Sequence, residues 1–193
     1  MESLQPHPCL EKLYVKGYGG GRFPSWMMDE LHLRLPNLLH IHLEGCKISQ
    51  ILPSFAQLPF LQSLDLNGLD EVEYMMECSS KLPFFPSLQR LQLSYLCKLN
   101  RLWRTDLPAE QLPLFPCLSQ LVIEYCDNLT SLTLPSSPCL SKIEITCCDN
   151  LTSLPLPPLP CLSKLHIDQI PKLASLELHS SPHLCYLCIK SCP

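Results

Sequence analysis

The chain has 193 residues, 46% of them hydrophobic, with 20 prolines against 6 glycines. Its formal net charge of −4 gives no electrostatic footprint for nucleic acid, and no apolar run approaches the roughly 20 residues of a membrane-spanning helix. Residues Met1 to Pro8 show neither the charged nor the apolar segment of a secretory signal, so the expected compartment is the reducing cytoplasm, with the nucleus also open.

Eight short strands are predicted, each opened by a proline: Pro8, Pro36, Pro59, Pro86, Pro116, Pro138, Pro160 and Pro182. Successive prolines stand 28, 23, 27, 30, 22, 22 and 22 residues apart. Counting each unit from its proline, apolar residues recur at positions 3, 6, 8, 11, 14 and 17. The strand portion runs from Leu10/Leu13/Val15 and Leu38/Ile41/Leu43 through Leu61/Leu64/Leu66 and Leu88/Leu91/Leu93 to Leu184/Leu187/Ile189. The unit is most regular over Pro116 to Ser181, where Pro-Cys-Leu-Ser opens three consecutive copies and Cys-Asp-Asn-Leu-Thr-Ser-Leu recurs at Cys126–Leu132 and Cys148–Leu154. This is the Leu-x-x-Leu-x-Leu-x-x-Asn/Cys-x-Leu pattern of leucine-rich repeats. It predicts an α/β-type leucine-rich repeat solenoid: a curved parallel sheet of about eight short strands, with the leucines of neighbouring units stacked into one core. Residues 1–193 then form a single repeat domain, expected to be a fragment of a longer array.

The return paths are short and proline-rich, as in Leu154-Pro155-Leu156-Pro157-Pro158-Leu159, so the convex side should be mostly irregular with little helix. Insertions at Glu77–Leu82 and about 104–112 should be surface loops, and Thr105 to Glu110 has room for a short helical turn. Position 11 holds Cys46, Cys126, Cys148 and Cys192, with Tyr18, Leu69, Leu96 and Ile170 as departures, where that layer should be less regular. The last unit stops just after its strand without a polar cap, which predicts self-association of the isolated chain.

Several residues invite a chemical reading. Thirteen cysteines suggest a disulfide framework, but the count is odd and most fall at repeat positions. Cys9, Cys117, Cys139 and Cys161 follow the opening proline; with the four position-11 cysteines they are expected to be reduced and buried as small hydrophobes. Cys185-x-x-Cys188-x-x-x-Cys192 has ligand-like spacing, yet its members face different ways on a strand, so no metal is expected. Gly17-x-Gly19-Gly20-Gly21 lacks the Lys-Ser/Thr of a phosphate loop and reads as a turn leaving the first strand. His40 and His42 share the outward face of one strand, with no acid evident to orient them. No nucleophile or acid–base constellation emerges, so neither an enzyme nor a cofactor is expected.

What remains is the solvent face of the sheet, which side-chain alternation assigns to positions 5, 7 and 9. Position 5 supplies Lys12, His40, Arg90, Gln120, Lys142 and Lys164. Position 7 supplies Tyr14, His42, Asp65, Gln92, Val122, Glu144 and His166, and position 9 supplies Glu124, Thr146 and Asp168. Inward positions barely vary from unit to unit while these columns do. That contrast makes the concave face the candidate partner-binding surface.

The first strand, its Gly17-Tyr18-Gly19-Gly20 turn and the following Phe23-Pro24-Ser25-Trp26-Met27 resemble the leucine-rich repeat region of plant intracellular nucleotide-binding disease-resistance (NLR) proteins. The later Cys-Asp-Asn-Leu-Thr-Ser-Leu phrases look like that family's irregular C-terminal repeats. The resemblance implies a recognition and autoinhibition module whose partners are a pathogen effector, a host target or the receptor's own nucleotide-binding domain. The chain carries no phosphate loop or nucleotide-binding domain itself, so a free-standing repeat adaptor, decoy or inhibitor is the alternative reading.

Overall fold

A computed structural model describes residues 3–77, 85–104, 115–134, 136–179 and 181–193. Each predicted strand forms: Lys12–Lys16 (β1), His40–Glu44 (β2), Ser63–Asn67 (β3), Arg90–Ser94 (β5), Gln120–Glu124 (β7), Lys142–Thr146 (β8), Lys164–Asp168 (β10) and Tyr186–Lys190 (β12). They pair in chain order as one parallel eight-stranded sheet. The register never slips: position 5 lies beside position 5 from Lys12 and His40 to Lys164 and Tyr186. The molecule is a leucine-rich repeat solenoid, and the spacing of its prolines sets the sheet. Among the described residues helix is confined to Ser25–Met28 (α1), Leu31–Arg34 (α2) and a 3-10 turn at Phe55–Gln57.

The inward frame is the core. In the sixth unit Leu140, Ile143, Ile145, Cys148, Leu151 and Leu154 are all fully buried, and the fifth unit repeats this with Leu118, Leu121, Ile123, Cys126, Leu129 and Leu132. Each such side chain contributes about 1.5–3 kcal/mol of transfer free energy, available only because the neighbouring unit covers it. Leu69, Leu96 and Ile170 fill position 11 as completely as the cysteines do, so the expected irregularity is absent at those three units. Phe23, Trp26 and Met27 are buried too, which is why the Phe-Pro-Ser-Trp-Met segment turns into α1 against the first strands.

Two further columns complete the solenoid. The residue before each opening proline is buried from the second unit to the seventh: Leu35, Leu58, Phe85, Phe115, Ser137 and Leu159. There Phe85 and Phe115 stack at 5.5 Å, and Trp103 tilts onto Phe115 at 5.4 Å while its indole N–H donates to the Thr133 carbonyl at 3.0 Å. The residue just past each strand, position 10, takes the left-handed conformation in all eight units: Gly17, Gly45, Gly68, Tyr95, Tyr125, Cys147, Gln169 and Ser191, with φ from 49° to 64°. That conformation aims its N–H at the position-9 carbonyl of the next unit, as from Gly45 to Asn67 at 2.8 Å and from Cys147 to Asp168 at 3.0 Å. The first seven units thereby turn out of the sheet without losing a backbone bond.

Side chains of the regular units serve the same ladder. The hydroxyls of Ser119, Ser141 and Ser163 donate to the Gln89, Ser119 and Ser141 carbonyls at 3.0 Å. The Asn128 and Asn150 amides donate to Cys97 and Asp127 carbonyls at 2.6 and 2.8 Å, which gives the repeated Cys-Asp-Asn phrase its structural role. The return paths hold short second strands as well, paired in parallel: Tyr74–Glu77 (β4) with Arg101–Arg104 (β6), and Ser153–Leu156 (β9) with Ser175–Leu178 (β11). Most of the two predicted insertions, including the helical turn, lies outside the described residues.

The cysteine expectation divides. Cys46, Cys126 and Cys148 are buried and free, while Cys192 is half-buried. Cys9, Cys117, Cys139 and Cys161 are exposed, because position 2 lies in the turn that precedes the strand and only position 3 enters the core. At the far edge β12 exposes its inward residues, Leu187 by 52% and Ile189 by 47%.

Candidate interaction face

Strand alternation brings the outward columns together on one face. Lys12, Tyr14 and Arg90 are exposed there; His40, His42, Asp65, Gln92, Gln120, Glu124, Lys142, Glu144, Thr146, Lys164, His166 and Asp168 are half-buried between neighbouring strands. Val122 departs from the expectation. It lies on this face outside the leucine core, in register with Gln92 and Glu144, yet is only 4% exposed. Its longer neighbours cover it, so it acts as a floor beneath them.

The first three units carry a linked cluster. Tyr14 donates a short hydrogen bond to Glu44, Lys16 Nζ lies 2.9 Å from the same carboxylate, and His42 Nε2 lies 3.6 Å from it. On its other side His42 Nδ1 meets Asp65 Oδ2 at 2.8 Å, and its ring stacks on Tyr14 at 4.7 Å. His42 is therefore oriented by two acids, contrary to the expectation that none would be: Glu44, which alternation places two residues along on the same face of its own strand, and Asp65, which stands one unit away and leaves no signal in the single-strand pattern. The Tyr14 hydroxyl and then Lys16 hold the Glu44 carboxyl down to about 2. His32 lies on α2, away from the sheet strand that carries His40 and His42.

The middle units carry a polar relay. Arg90 donates to Gln120 Oε1 at 2.9 Å and to Gln92 Oε1 at 2.7 Å; Gln92 reaches the Ser94 hydroxyl, which lies 3.4 Å from Glu124 Oε2. Lys142 pairs with Glu144 at 3.0 Å, and Lys164 Nζ lies 4.8 Å over the Tyr186 ring. Two fully enclosed atoms near the end of this run, His166 Nε2 and Asp168 Oδ1, have no hydrogen-bond partner.

Acids are absent from position 5, which has Lys12, Arg90, Lys142 and Lys164, whereas Asp65, Glu144, Glu44, Glu124 and Asp168 stand at positions 7 and 9, with Lys16 and Lys190 beside them at position 9 of the first and last units. Beyond position 9 the left-handed residues form a margin. Tyr95 and Tyr125 stack there at 4.5 Å with their planes 4° apart, and stay 48% and 43% exposed. A hydrogen bond with the Cys147 thiol pushes the Tyr125 phenol up, and Cys147 Sγ lies 2.7 Å from Gln169 Oε1. The sequence offered one signal for this margin, the glycines of the first three units at the same position.

The cysteines of the last unit do not converge. Cys185 Sγ donates to the Ser163 carbonyl at 3.3 Å, Cys192 Sγ to the Lys190 carbonyl at 3.1 Å, and Cys188 stands on the sheet face. Among the described residues no group of three or more His, Cys, Asp and Glu side chains is placed to hold a metal ion, and no helix is long and apolar enough to cross a membrane.

Residues 1–69 match the family described as R13L1/DRL21 LRRs. The chain is 37% identical over 112 residues to the putative disease resistance protein RGA4 of Solanum bulbocastanum, a match covering 55% of this chain and 11% of that protein. It is 40% identical over 92 residues to the putative disease resistance protein RGA1 of the same species, covering 47% and 9%. It is also 40% identical over 68 residues to the putative disease resistance RPP13-like protein 1 of Arabidopsis thaliana, covering 35% and 6%. The matches thus span about a tenth or less of these relatives' length. No solved structure matches the chain.

Proposed function

We propose, from the premise that this chain is a leucine-rich repeat array of the kind found in plant disease resistance proteins, that its open sheet face binds protein. The observation carrying the proposal is the division of labour along the strands from β2 to β10 of the main sheet: inward residues repeat and close the core, while outward residues change from unit to unit. Varied side chains on a fixed parallel sheet form an extended surface that one partner reads across several units at once. The reading treats residues 1–193 as one repeat domain acting in the cytoplasm by recognition, with no chemistry of its own. Its partners are a pathogen effector, a host protein that an effector modifies, or the nucleotide-binding domain of its own receptor, held inactive until recognition.

The test exchanges the outward columns of units five to seven (Gln120, Val122, Glu124, Lys142, Glu144, Thr146, Lys164, His166 and Asp168) for those of units one to three. Tagged original and exchanged chains are expressed in plant cells, and co-purifying proteins are quantified. The expected result is loss of specific partners with an unchanged urea midpoint. Partners retained in full by the exchanged chain refute the sheet-face assignment.

A further inference from the structure

We propose that the stacked turns of units six and seven hold one copper(I) ion between the Cys139 and Cys161 thiolates, as a two-coordinate site. It lies at the turns leading into the strands, so it goes beyond the protein-binding reading and does not depend on it.

Position 2 of the last four units reads Cys117, Cys139, Cys161 and His183. In units six, seven and eight that residue stands in the same turn. The turn is closed by bonds from Leu140 N to Ser137 O, Leu162 N to Leu159 O and Leu184 N to Ser181 O, each 3.1 Å. Just after it, Ser163 N donates to Ser141 O at 2.9 Å and the Ser163 hydroxyl donates to the same oxygen at 3.0 Å, which locks one turn over the other. Leu140 and Leu162, beside the two cysteines, are fully buried and fix both turns to the core. Cys139 and Cys161 are therefore equivalent residues on adjacent units, exposed and free. Cys46, Cys126, Cys148, Cys185 and Cys192 each donate to a carbonyl, whereas among the described residues the Cys139 and Cys161 thiols have no hydrogen-bond partner.

Spacing selects what joins them. Neighbouring strands lie about 4.8 Å apart, and equivalent residues of stacked turns keep about that distance between their Cβ atoms. A disulfide needs Cβ atoms about 3.8 Å apart, so it pulls the turns out of register. Two metal–thiolate bonds of about 2.3 Å laid end to end span about 4.6 Å, which the register already provides.

The column is a line, so one ion cannot meet three of its members. Cys117 and His183 each lie one unit further out, and the turn of Cys117 has no matching bond between Leu118 and Phe115 among the described residues. That arrangement excludes the four-ligand shell of zinc and suits copper(I), a soft ion satisfied by two thiolates. Each thiol gives up its proton on binding: one copper(I) and two thiols yield one bis-thiolate complex and two protons, with no change of oxidation state. Cys9 is the internal control, an exposed cysteine at position 2 of the first unit whose neighbour in the column is Asn37.

The reduced whole chain and its variants are titrated anaerobically against the copper(I)–bicinchoninate complex, whose colour fades as the protein takes the ion. X-ray absorption then reports the neighbours of the bound copper. The expected result is one tightly held copper(I) per chain with two sulfur neighbours. Cys139→Ser and Cys161→Ser should each weaken it by more than the roughly 10–100-fold that loss of a supporting group costs, with an unchanged urea midpoint. Cys9→Ser and Cys117→Ser should leave it unaltered, and affinity should fall as pH is lowered, because two protons are displaced. Four things overturn the proposal: no tight copper(I), full affinity in the Cys139→Ser/Cys161→Ser double variant, an equal loss in Cys9→Ser or Cys117→Ser, or more than two sulfur or nitrogen neighbours.

Discussion

Replacing Gly68 with alanine isolates the left-handed turn that ends each strand. Gly68 has φ of 62° and donates its N–H to the Ser94 carbonyl at 2.9 Å. A Cβ added there meets only the backbone of Gly45, at 3.6 Å, which is ordinary contact, so no steric clash enters the balance. Holding a non-glycine residue in this conformation costs about 1–2 kcal/mol, while narrowing the unfolded chain returns about 0.4–1 kcal/mol. The net expectation is a loss of about 0.5–1 kcal/mol, which at a urea m-value of about 2 kcal/mol/M lowers the unfolding midpoint by roughly 0.3–0.5 M. Gly19 is the matched control: its φ is not left-handed and an added Cβ meets nothing within 4 Å. Gly19→Ala should therefore raise the midpoint, since only the unfolded-state effect remains. Gly68→Asn should be nearly neutral and Gly68→Val worse than alanine, because asparagine visits this region readily and β-branched residues do not. Midpoints that move in the same direction for Gly68→Ala and Gly19→Ala, or a harmless valine, refute the reasoning.

Two other expectations concern ionisation. The Glu44 carboxyl is lowered from 4.5 to about 2 in the folded chain, first by the Tyr14 hydroxyl and then by Lys16. A depressed folded-state value means its contribution is complete above about pH 4.5 and is lost as pH falls towards 2, so Glu44→Gln should flatten the stability–pH curve across that window; an unaltered acid slope in urea midpoints counts against this. Burial pushes the Cys126 and Cys148 thiols up to about 12, whereas Cys117, Cys139 and Cys161 are exposed. Iodoacetamide at about pH 8 should label the exposed three in the folded chain and reach Cys126 and Cys148 only in denaturant, as peptide mapping will show. Equal labelling rates for Cys117 and Cys126 before unfolding contradict the buried column.

The strands were legible because their leucines must repeat: a parallel ladder in fixed register puts Leu121, Ile143 and Leu165 against one another, and no polar residue can take their place. The column before each proline was harder to see. Its residues vary in size from Ser137 to Phe115, and variable return lengths shift it against any count from the preceding proline. The left-handed column disappears from view after Gly68, since a tyrosine past a strand carries no conformational signature in sequence. The exposed cysteines were misread because composition argues for burial while position 2 argues for a turn, and position prevails. On the sheet face, alternation identified the members but not their bonds. Whether His42 meets Asp65 depends on the neighbouring unit's side chain, and a single-strand pattern contains nothing about it.

Tyr95 and Tyr125 show how such a face changes without loss of fold. Each holds a strained conformation that costs about 1–2 kcal/mol more than glycine would, and neither recovers that in the core, being nearly half exposed. Their mutual stack returns about 0.5–1.5 kcal/mol, which offsets part of the roughly 2–4 kcal/mol that the two conformations cost together. The position-10 N–H reaches the next unit whether the side chain is absent, as at Gly45, aromatic, as at Tyr125, or a thiol, as at Cys147. The backbone thus fixes the direction of the side chain while the core takes no part in its identity. A residue whose direction is set and whose identity is free is the element a recognition surface needs. The margin beyond position 9 therefore admits substitution at lower cost to stability than any inward column, where removing a leucine costs about 2–5 kcal/mol.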